Sequence, residues 1–309
     1  MAELPAAVAG VWAVVVAYNP DEPVLRALLD ALVTQTGRVV LVDNTPGGAP
    51  VLRRLEHPRV QLRTLGSNLG VAVALNVGIA VAVEAGASHV LLSDQDSLPA
   101  PGMVAGLLHA LLELQRGGVR IGAIGPSYVD LHTGLPRAFK GWPPGRWLPG
   151  DVEPDALRPD IPVLTLITAG TLIPAEVFAD VGPMCEALFI DRVDTEWCLR
   201  AHARGWAIYG TSRAKLCQRM GEHALRVWWG RWRLVSAYAP LRVYYQVRNT
   251  LYLLGARHID WRWKLRNVWF AAGVVYTHVL FSRNRLRCLQ MALRGVRDAL
   301  LRRMWAYRD

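Results

Sequence analysis

The sequence predicts a mostly parallel α/β sheet covered by helices on both faces. Three observations predict it: short β-rich runs that are apolar at nearly every position, helix-start signals between them, and acidic residues where the runs end. A sheet with one wet face would alternate apolar and polar side chains. These runs do not alternate, as befits strands buried on both faces.

The first run, Val11 to Ala17, leads into Asn19-Pro20-Asp21-Glu22, which supplies a helix N-cap, a proline at the first helical position and a glutamate at the third. The helix that follows is expected to bury Val24, Leu25, Leu28, Leu32 and Val33. Val39 to Val42 is a second strand, ending at Asp43-Asn44, and Val60 to Leu65 is a third. Gly66-Ser67-Asn68-Leu69-Gly70 then opens a small-residue helix running to about Glu84. His89 to Ser93 is a fourth strand, stopped by Asp94-Gln95-Asp96. From Tyr128 to Pro162 the chain is rich in Pro, Gly and Trp, and a long loop over a site is expected there. Regular structure resumes at Val163 to Ile173. Asp194 to Arg204 reads as a helix, with Gly205 just past its end. Leu286, Leu289, Leu293, Val296, Leu300 and Met304 recur at intervals of three and four, with Arg287, Arg294, Arg297, Arg302 and Arg303 between them, which is the pattern of one amphipathic helix.

At 309 residues and 52% hydrophobic, the chain has ample material for a core. Its four cysteines show neither zinc-site spacing nor the density of a disulfide scaffold, so a reducing cytoplasm fits. The apolar start follows Glu3 rather than a basic segment and reads as a strand, not a signal peptide. Val268 to Phe281, the longest late apolar run, falls short of the roughly 20 residues a spanning helix needs. The net charge of +10 is unevenly placed: residues 1–218 carry 17 Lys+Arg against 21 Asp+Glu, and residues 219–309 carry 18 against 4 together with seven of the twelve tryptophans. That division predicts a catalytic unit over 1–218 and a basic, Trp/Arg-rich helical extension over 219–309. The extension suits peripheral contact with the anionic inner face of a membrane.

Open parallel sheets bind ligands beyond the carboxyl ends of their strands, where the acidic groups fall. Asp43 offers an acceptor for a base or ribose, and Asp43-Asn44 is equally the signature of a turn. Asp94 and Asp96 repel each other unless a cation or a hydrogen-bonded sugar intervenes, and Mg²⁺ or Mn²⁺ needs few protein carboxylates when a diphosphate shares it. A polar turn capped by Asp96 or Ser97 explains the same residues. Asp194, at a helix start, is either a cap or a base for an incoming hydroxyl; Glu196 and Arg200 form an i,i+4 pair in the local reading.

Taken in order, Ala17-Tyr18-Asn19-Pro20, Val42-Asp43-Asn44, Asn68-Leu69-Gly70 with Asn76-Val77-Gly78, Ser93-Asp94-Gln95-Asp96-Ser97 and Leu188 to Glu196 resemble glycosyltransferase family 2. Within it the chain is similar to bacterial dTDP-rhamnose-dependent rhamnosyltransferases, through Pro240 to Asn249 and on to Asp298. The resemblance implies a GT-A (Rossmann-like) fold and an inverting transfer of L-rhamnose from dTDP-rhamnose to a glycan or lipid-linked acceptor. It implies Asp194 as general base with Asp191, Glu196 and Arg200 as neighbours, Asp96 on a divalent metal, and Ala17, Tyr18, Asn19, Asp43, Asn68, Gly70, Asn76, Asp94, Gln95 and Gly170 around the nucleotide sugar. Relatives place a histidine where this chain has Gln218; His223, five residues on, is the substitute the sequence offers.

Two other classes compete. A nucleotidyltransferase needs a glycine-rich basic loop after the first strand, which Asn19-Pro20-Asp21-Glu22 does not provide. A nucleic-acid binder would use the Arg/Trp-rich third, but the acidic first 218 residues oppose it, and no nucleic-acid partner is expected.

Overall fold

The computed structural model of the chain describes residues 6–131, 134–218, 223–228 and 230–307. A turn of helix, α1 (Ala6–Ala9), leads into β1 (Val11–Ala17), α2 (Glu22–Val33), β2 (Arg38–Asp43), β3 (Val60–Thr64), α3 (Val71–Glu84), β4 (His89–Asp94), β5 (Leu98–Pro99), α4 (Met103–Arg116) and β6 (Ile121–Asp130). The short strands β7 (Pro136–Arg137), β8 (Phe139–Gly141), β9 (Gly150–Val152), β10 (Asp160–Pro162) and β11 (Leu172–Pro174) follow. Then come α5 (Ala175–Val181), α6 (Val193–Ala203), β12 (Ala207–Gln218), the hairpin β13 (His223–Trp228) with β14 (Trp232–Ala237), and three helices, α7 (Pro240–Leu254), α8 (Trp261–Phe281) and α9 (Arg285–Leu300).

The sheet order is β10-β12-β6-β11-β4-β1-β2-β3. β1 pairs in parallel with both β2 and β4, β2 with β3, and β12 with β6, while β11 runs antiparallel between β4 and β6. The parallel strands therefore end on one edge, bringing Ala17, Asp43, Asp94 and Gln218 to the same side. Alternate residues explain the uninterrupted apolar runs. Val14, Val16, Val40, Val42, Val90 and Leu92 pack against α3 and α6, whereas Val11, Ala13, Val15, Val39, Leu41 and Leu91 pack against α2 and α4. α3 lies so close that a Cβ on Gly78 would fall 2.3 Å from Val14 Cγ1, which is why this helix is built of small residues.

Three expectations are corrected. α2 starts at Glu22 with Asp21 as N-cap, its carboxylate accepting the Val24 N–H at 3.2 Å, and Pro23 stands in the first turn. Asn19 is instead held left-handed, its N–H donated to Thr45 Oγ1. The segment from Tyr128 to Pro162 is not one loop: it completes β6 and supplies β7, the β8-β9 hairpin and the edge strand β10. Strands of two or three residues are too short to show a period. Conversely, Val163 to Ile173 is mostly irregular, and only its end joins β11, although Val163, Leu164 and Leu166 are buried.

α9 forms as the periodicity predicts, and its leucine stripe faces outward: Leu286 is 83% and Leu300 79% exposed. Its buried face is Cys288, Met291, Ala292, Gly295 and Ala299. A Cβ on Gly295 would approach Tyr244 O to 2.8 Å, so α9 crosses α7 on a seam that admits only small residues. The four cysteines are all free, and no helix among the described residues is long and apolar enough to cross a membrane.

Candidate active site

The end of β1 is tied to the end of β4 through Gln95, which accepts the Tyr18 N–H at 2.7 Å and donates to Tyr18 O at 3.1 Å. Asn44 donates to Asn68 Oδ1 and accepts the Leu69 N–H, and Asn68 Oδ1 also accepts the Gly70 N–H. These side chains fix the loop that opens α3. Gly70, at φ +91, is the one residue type that fits: a Cβ there would lie 2.5 Å from Phe189 Cδ2. That close approach lets Phe189 O accept the Val71 N–H at 2.8 Å, locking the start of α3 to the segment before α6.

After β4 the chain passes through Asp94-Gln95-Asp96-Ser97 and pairs as β5 against β12, Cys217 opposite Leu98. This brings Gln218 onto the acidic pair. Its Nε2 donates to Asp94 Oδ2 at 3.3 Å and Asp96 Oδ1 at 3.2 Å, and its Oε1 accepts the Ser97 hydroxyl at 2.6 Å. Burial, then the charges of Asp96 and Asp194, push the Asp94 carboxyl up to about 7, against the opposing pull of Arg242. The Asp94-Asp96 pair and the sequence-distant Asp194 thus share one electrostatic environment. Among the described residues no group of three His, Cys, Asp or Glu side chains forms a metal site on its own. Two carboxylates at one strand end still fit a divalent cation whose remaining ligands are diphosphate oxygens and water.

The segment before α6 is wound unusually. Phe189, Asp191 and Arg192 all have positive φ, each a cost of about 1–2 kcal/mol for a non-glycine residue. α7 holds it there. Arg242 forms two 2.7 Å bonds to the Asp191 carboxylate, and Asn249 Nδ2 donates toward the carbonyls of Leu188, Ile190 and Asp191. Arg248, fully buried, donates to Leu188 O at 2.9 Å and Trp305 O at 2.6 Å and lies against the rings of both Tyr244 and Tyr245. With Arg192 in the cap position, Asp194 is the second residue of α6 rather than its cap. Its Oδ1 accepts from the Thr195 N–H and hydroxyl, and burial raises its pKa.

Of the sequence-predicted residues, Asp94, Asp96, Gln218 and Asp194 come together. Asp191 lies beside them with both oxygens engaged by Arg242. Asp43 is buried, and its two oxygens accept the Thr45 and Ala49 N–H groups, so it caps its own turn. Asn76 is not brought to this group; it bridges α3 to Met184 and Glu186. Glu196 pairs with Arg200, which also reaches Val181 O, and the pair faces α5. Gly170, at φ +80, lies against Pro126 beside β4 and β6, its N–H bonded to Leu92 O. The His223 side chain lies outside the described residues. Sequence reasoning assigned no role to Arg192, Arg242, Arg248 and Asn249. For α7 the available signal was the polar run Gln246, Arg248, Asn249 and Thr250 in the middle of a helix that is otherwise mostly apolar and aromatic.

The raised Asp94 pKa carries a sign. The folded protein retains a proton that the unfolded chain releases near pH 4, so without a cation Asp94 contributes stability that is lost as pH rises from about 4 through about 7. In chelator, the wild type should lose melting temperature relative to Asp94→Asn over that interval. Parallel curves for the two proteins would refute the assignment.

The model of the family described as Glycosyl transferase family 2 matches residues 12–182. The dTDP-rhamnosyl transferase RfbF of Shigella flexneri is 28% identical over 302 residues, covering 94% of this chain and 95% of that protein. A crystal structure of GalNAc-T7 with UDP, GalNAc and Mn2+ superposes with a TM-score of 0.56 at 14% identity, over 86% of this chain, which spans 56% of that structure's length.

Proposed function

The chain belongs to glycosyl transferase family 2, and from that premise we propose that it transfers L-rhamnose from dTDP-rhamnose, with inversion, to a hydroxyl of a glycan or lipid-linked acceptor. The observation that carries the catalytic reading is the contrast between two neighbours. Asp191 has both oxygens spent on Arg242, while Asp194 keeps one carboxylate oxygen without a hydrogen bond among the described residues and has a raised pKa, as a general base requires. Asp194 takes the proton of the acceptor hydroxyl as that oxygen attacks the anomeric carbon from the face opposite the diphosphate. The bond to the diphosphate breaks and dTDP leaves. Asp94 and Asp96 are the residues that would hold Mg²⁺ or Mn²⁺, which when bound neutralises charge on the departing diphosphate. Gln218 orients both carboxylates through its amide. The donor assignment is supported by the likeness to the Shigella protein, whose name states that donor.

Peripheral membrane contact belongs to the same proposal. It is supported by the outward leucine stripe of α9 with Arg287 and Arg297 beside it, and by the exposed Trp228 and Trp232 of the β13-β14 hairpin. The decisive experiment presents dTDP-, UDP- and GDP-sugars with membrane extract as acceptor, with and without EDTA, and reads products by mass spectrometry. Rhamnosyl addition from the dTDP donor, abolished by EDTA, is expected; transfer from another donor, or indifference to EDTA, overturns the corresponding part. The protein should also pellet with phosphatidylglycerol vesicles and fail to do so once Leu293 and Leu300 are serine. Equal pelleting of both would remove the membrane assignment.

A further inference from the structure

Gln218 ends β12 at a point where the backbone is held from two sides. It pairs with Asp130 of β6, and its carbonyl accepts the Leu131 N–H at 3.0 Å, while Leu216 and Cys217 just before it pair with β5. Its side chain is buried, as is Ser97 opposite. Three bonds set the direction of the amide. The Ser97 hydroxyl donates to Oε1 at 2.6 Å, and Nε2 donates to Asp94 Oδ2 at 3.3 Å and to Asp96 Oδ1 at 3.2 Å. Turned over, the amide would set its oxygen against two carboxylates and lose both donor bonds, so the hydroxyl and the charges select the same orientation.

That orientation bears on a cation. One oxygen of each carboxylate faces the hydrogens of a neutral amide, so an ion bridging Asp94 and Asp96 through those oxygens has to displace it. The amide oxygen, the one atom of the side chain that could serve as a ligand, is turned to Ser97. Gln218 thus eases the repulsion that would draw a cation to the pair, and adds no ligand of its own. No group of three His, Cys, Asp or Glu side chains forms a metal site among the described residues. Most of the coordination must therefore come from elsewhere, and Mg²⁺ or Mn²⁺ takes it from diphosphate oxygens and water.

We propose that Gln218 is a gate on the cation: its amide holds the Asp94-Asp96 pair against a free divalent ion and gives it up only to an ion bound together with the nucleotide diphosphate. Cation and nucleotide then bind cooperatively, and residue 218 sets how strongly. The inference rests on the transferase reading and names how the metal enters that site. The test titrates the full chain with MnCl2, with and without saturating dTDP, and reads bound Mn²⁺ from the loss of the free-ion electron paramagnetic resonance signal, corrected for the ion that free nucleotide holds. Calorimetry with dTDP in EDTA runs in parallel. Wild type should bind Mn²⁺ at least about tenfold more tightly with dTDP than without. Gln218→Met, which fills similar space without an N–H, should tighten binding of Mn²⁺ alone by about fivefold or more. Gln218→Glu, which supplies a ligand, should tighten it further, and Ser97→Ala, which frees the amide to turn its oxygen to the ion, should act in the same direction. In each variant the advantage conferred by dTDP should shrink. Wild-type binding of Mn²⁺ that is indifferent to dTDP, or unchanged affinity for Mn²⁺ alone in both Gln218→Met and Ser97→Ala, overturns the proposal. If wild type binds dTDP but takes up no Mn²⁺ with it, the metal reading and the gate fall together. Failure of wild type to bind dTDP under either condition counts instead against the transferase reading.

Discussion

Asp194→Asn should lower kcat by about 100-fold or more while leaving dTDP affinity within about twofold of wild type. The asymmetry follows from what each carboxylate touches. Among the described residues Asp194 is hydrogen-bonded within its own helix turn, to Thr195, and an asparagine carbonyl accepts the same N–H, so the fold of α6 survives the change. What is lost is the ability to take a proton. The rate should fall without a matching rise in the donor KM. Asp191→Asn makes the control: it breaks the two-bond contact with Arg242 and should disturb the local winding, so stability falls together with activity. The measurement is kcat and donor KM alongside calorimetric dTDP binding for each variant. If Asp194→Asn loses dTDP binding and turnover in equal measure, the residue supports the site rather than performing its chemistry.

The parts of the structure legible in the sequence are those governed by local pattern. β1, β2 and β4 announce themselves because both faces are covered and their central residues are apolar without alternation. Asp94 and Asp96 are legible for a related reason: carboxylates directly after such strands have no local partner. Asp43 shows the limit of that reasoning, since two backbone N–H groups of its own turn satisfy it and nothing in the chemistry of Asp-Asn separates that outcome from a ligand contact. Periodicity gives α9 as a helix and leaves its orientation open; the close crossing with α7 selects Gly295 and Ala292 for the seam and turns the leucines out. Arg248 and Asn249 stay hidden because their partners, the carbonyls from residue 187 to residue 191, lie some sixty positions earlier in the chain. Only the fold brings them together.

That dependence on α7 sets up the largest expected effect on stability. Arg248→Ala should destabilise the protein by on the order of 3 kcal/mol or more, because the guanidinium is fully buried and satisfies carbonyls from two distant segments, Leu188 and Trp305. Removing it strands those acceptors away from water and leaves a void against the rings of Tyr244 and Tyr245. The loss falls on the segment that needs support most, the left-handed run before α6, so activity should decline in denaturant before the global transition does. Arg248→Lys keeps a charge but not the planar fork that reaches both carbonyls, and should recover only part of the stability. Arg287→Ala, an exposed position on α9, should change stability by less than about 0.5 kcal/mol. Urea unfolding followed by far-UV circular dichroism, with turnover assayed at each concentration, separates these outcomes. A wild-type midpoint for Arg248→Ala, or activity lost only at global unfolding, would mean that α7 does not hold the base-bearing segment in place.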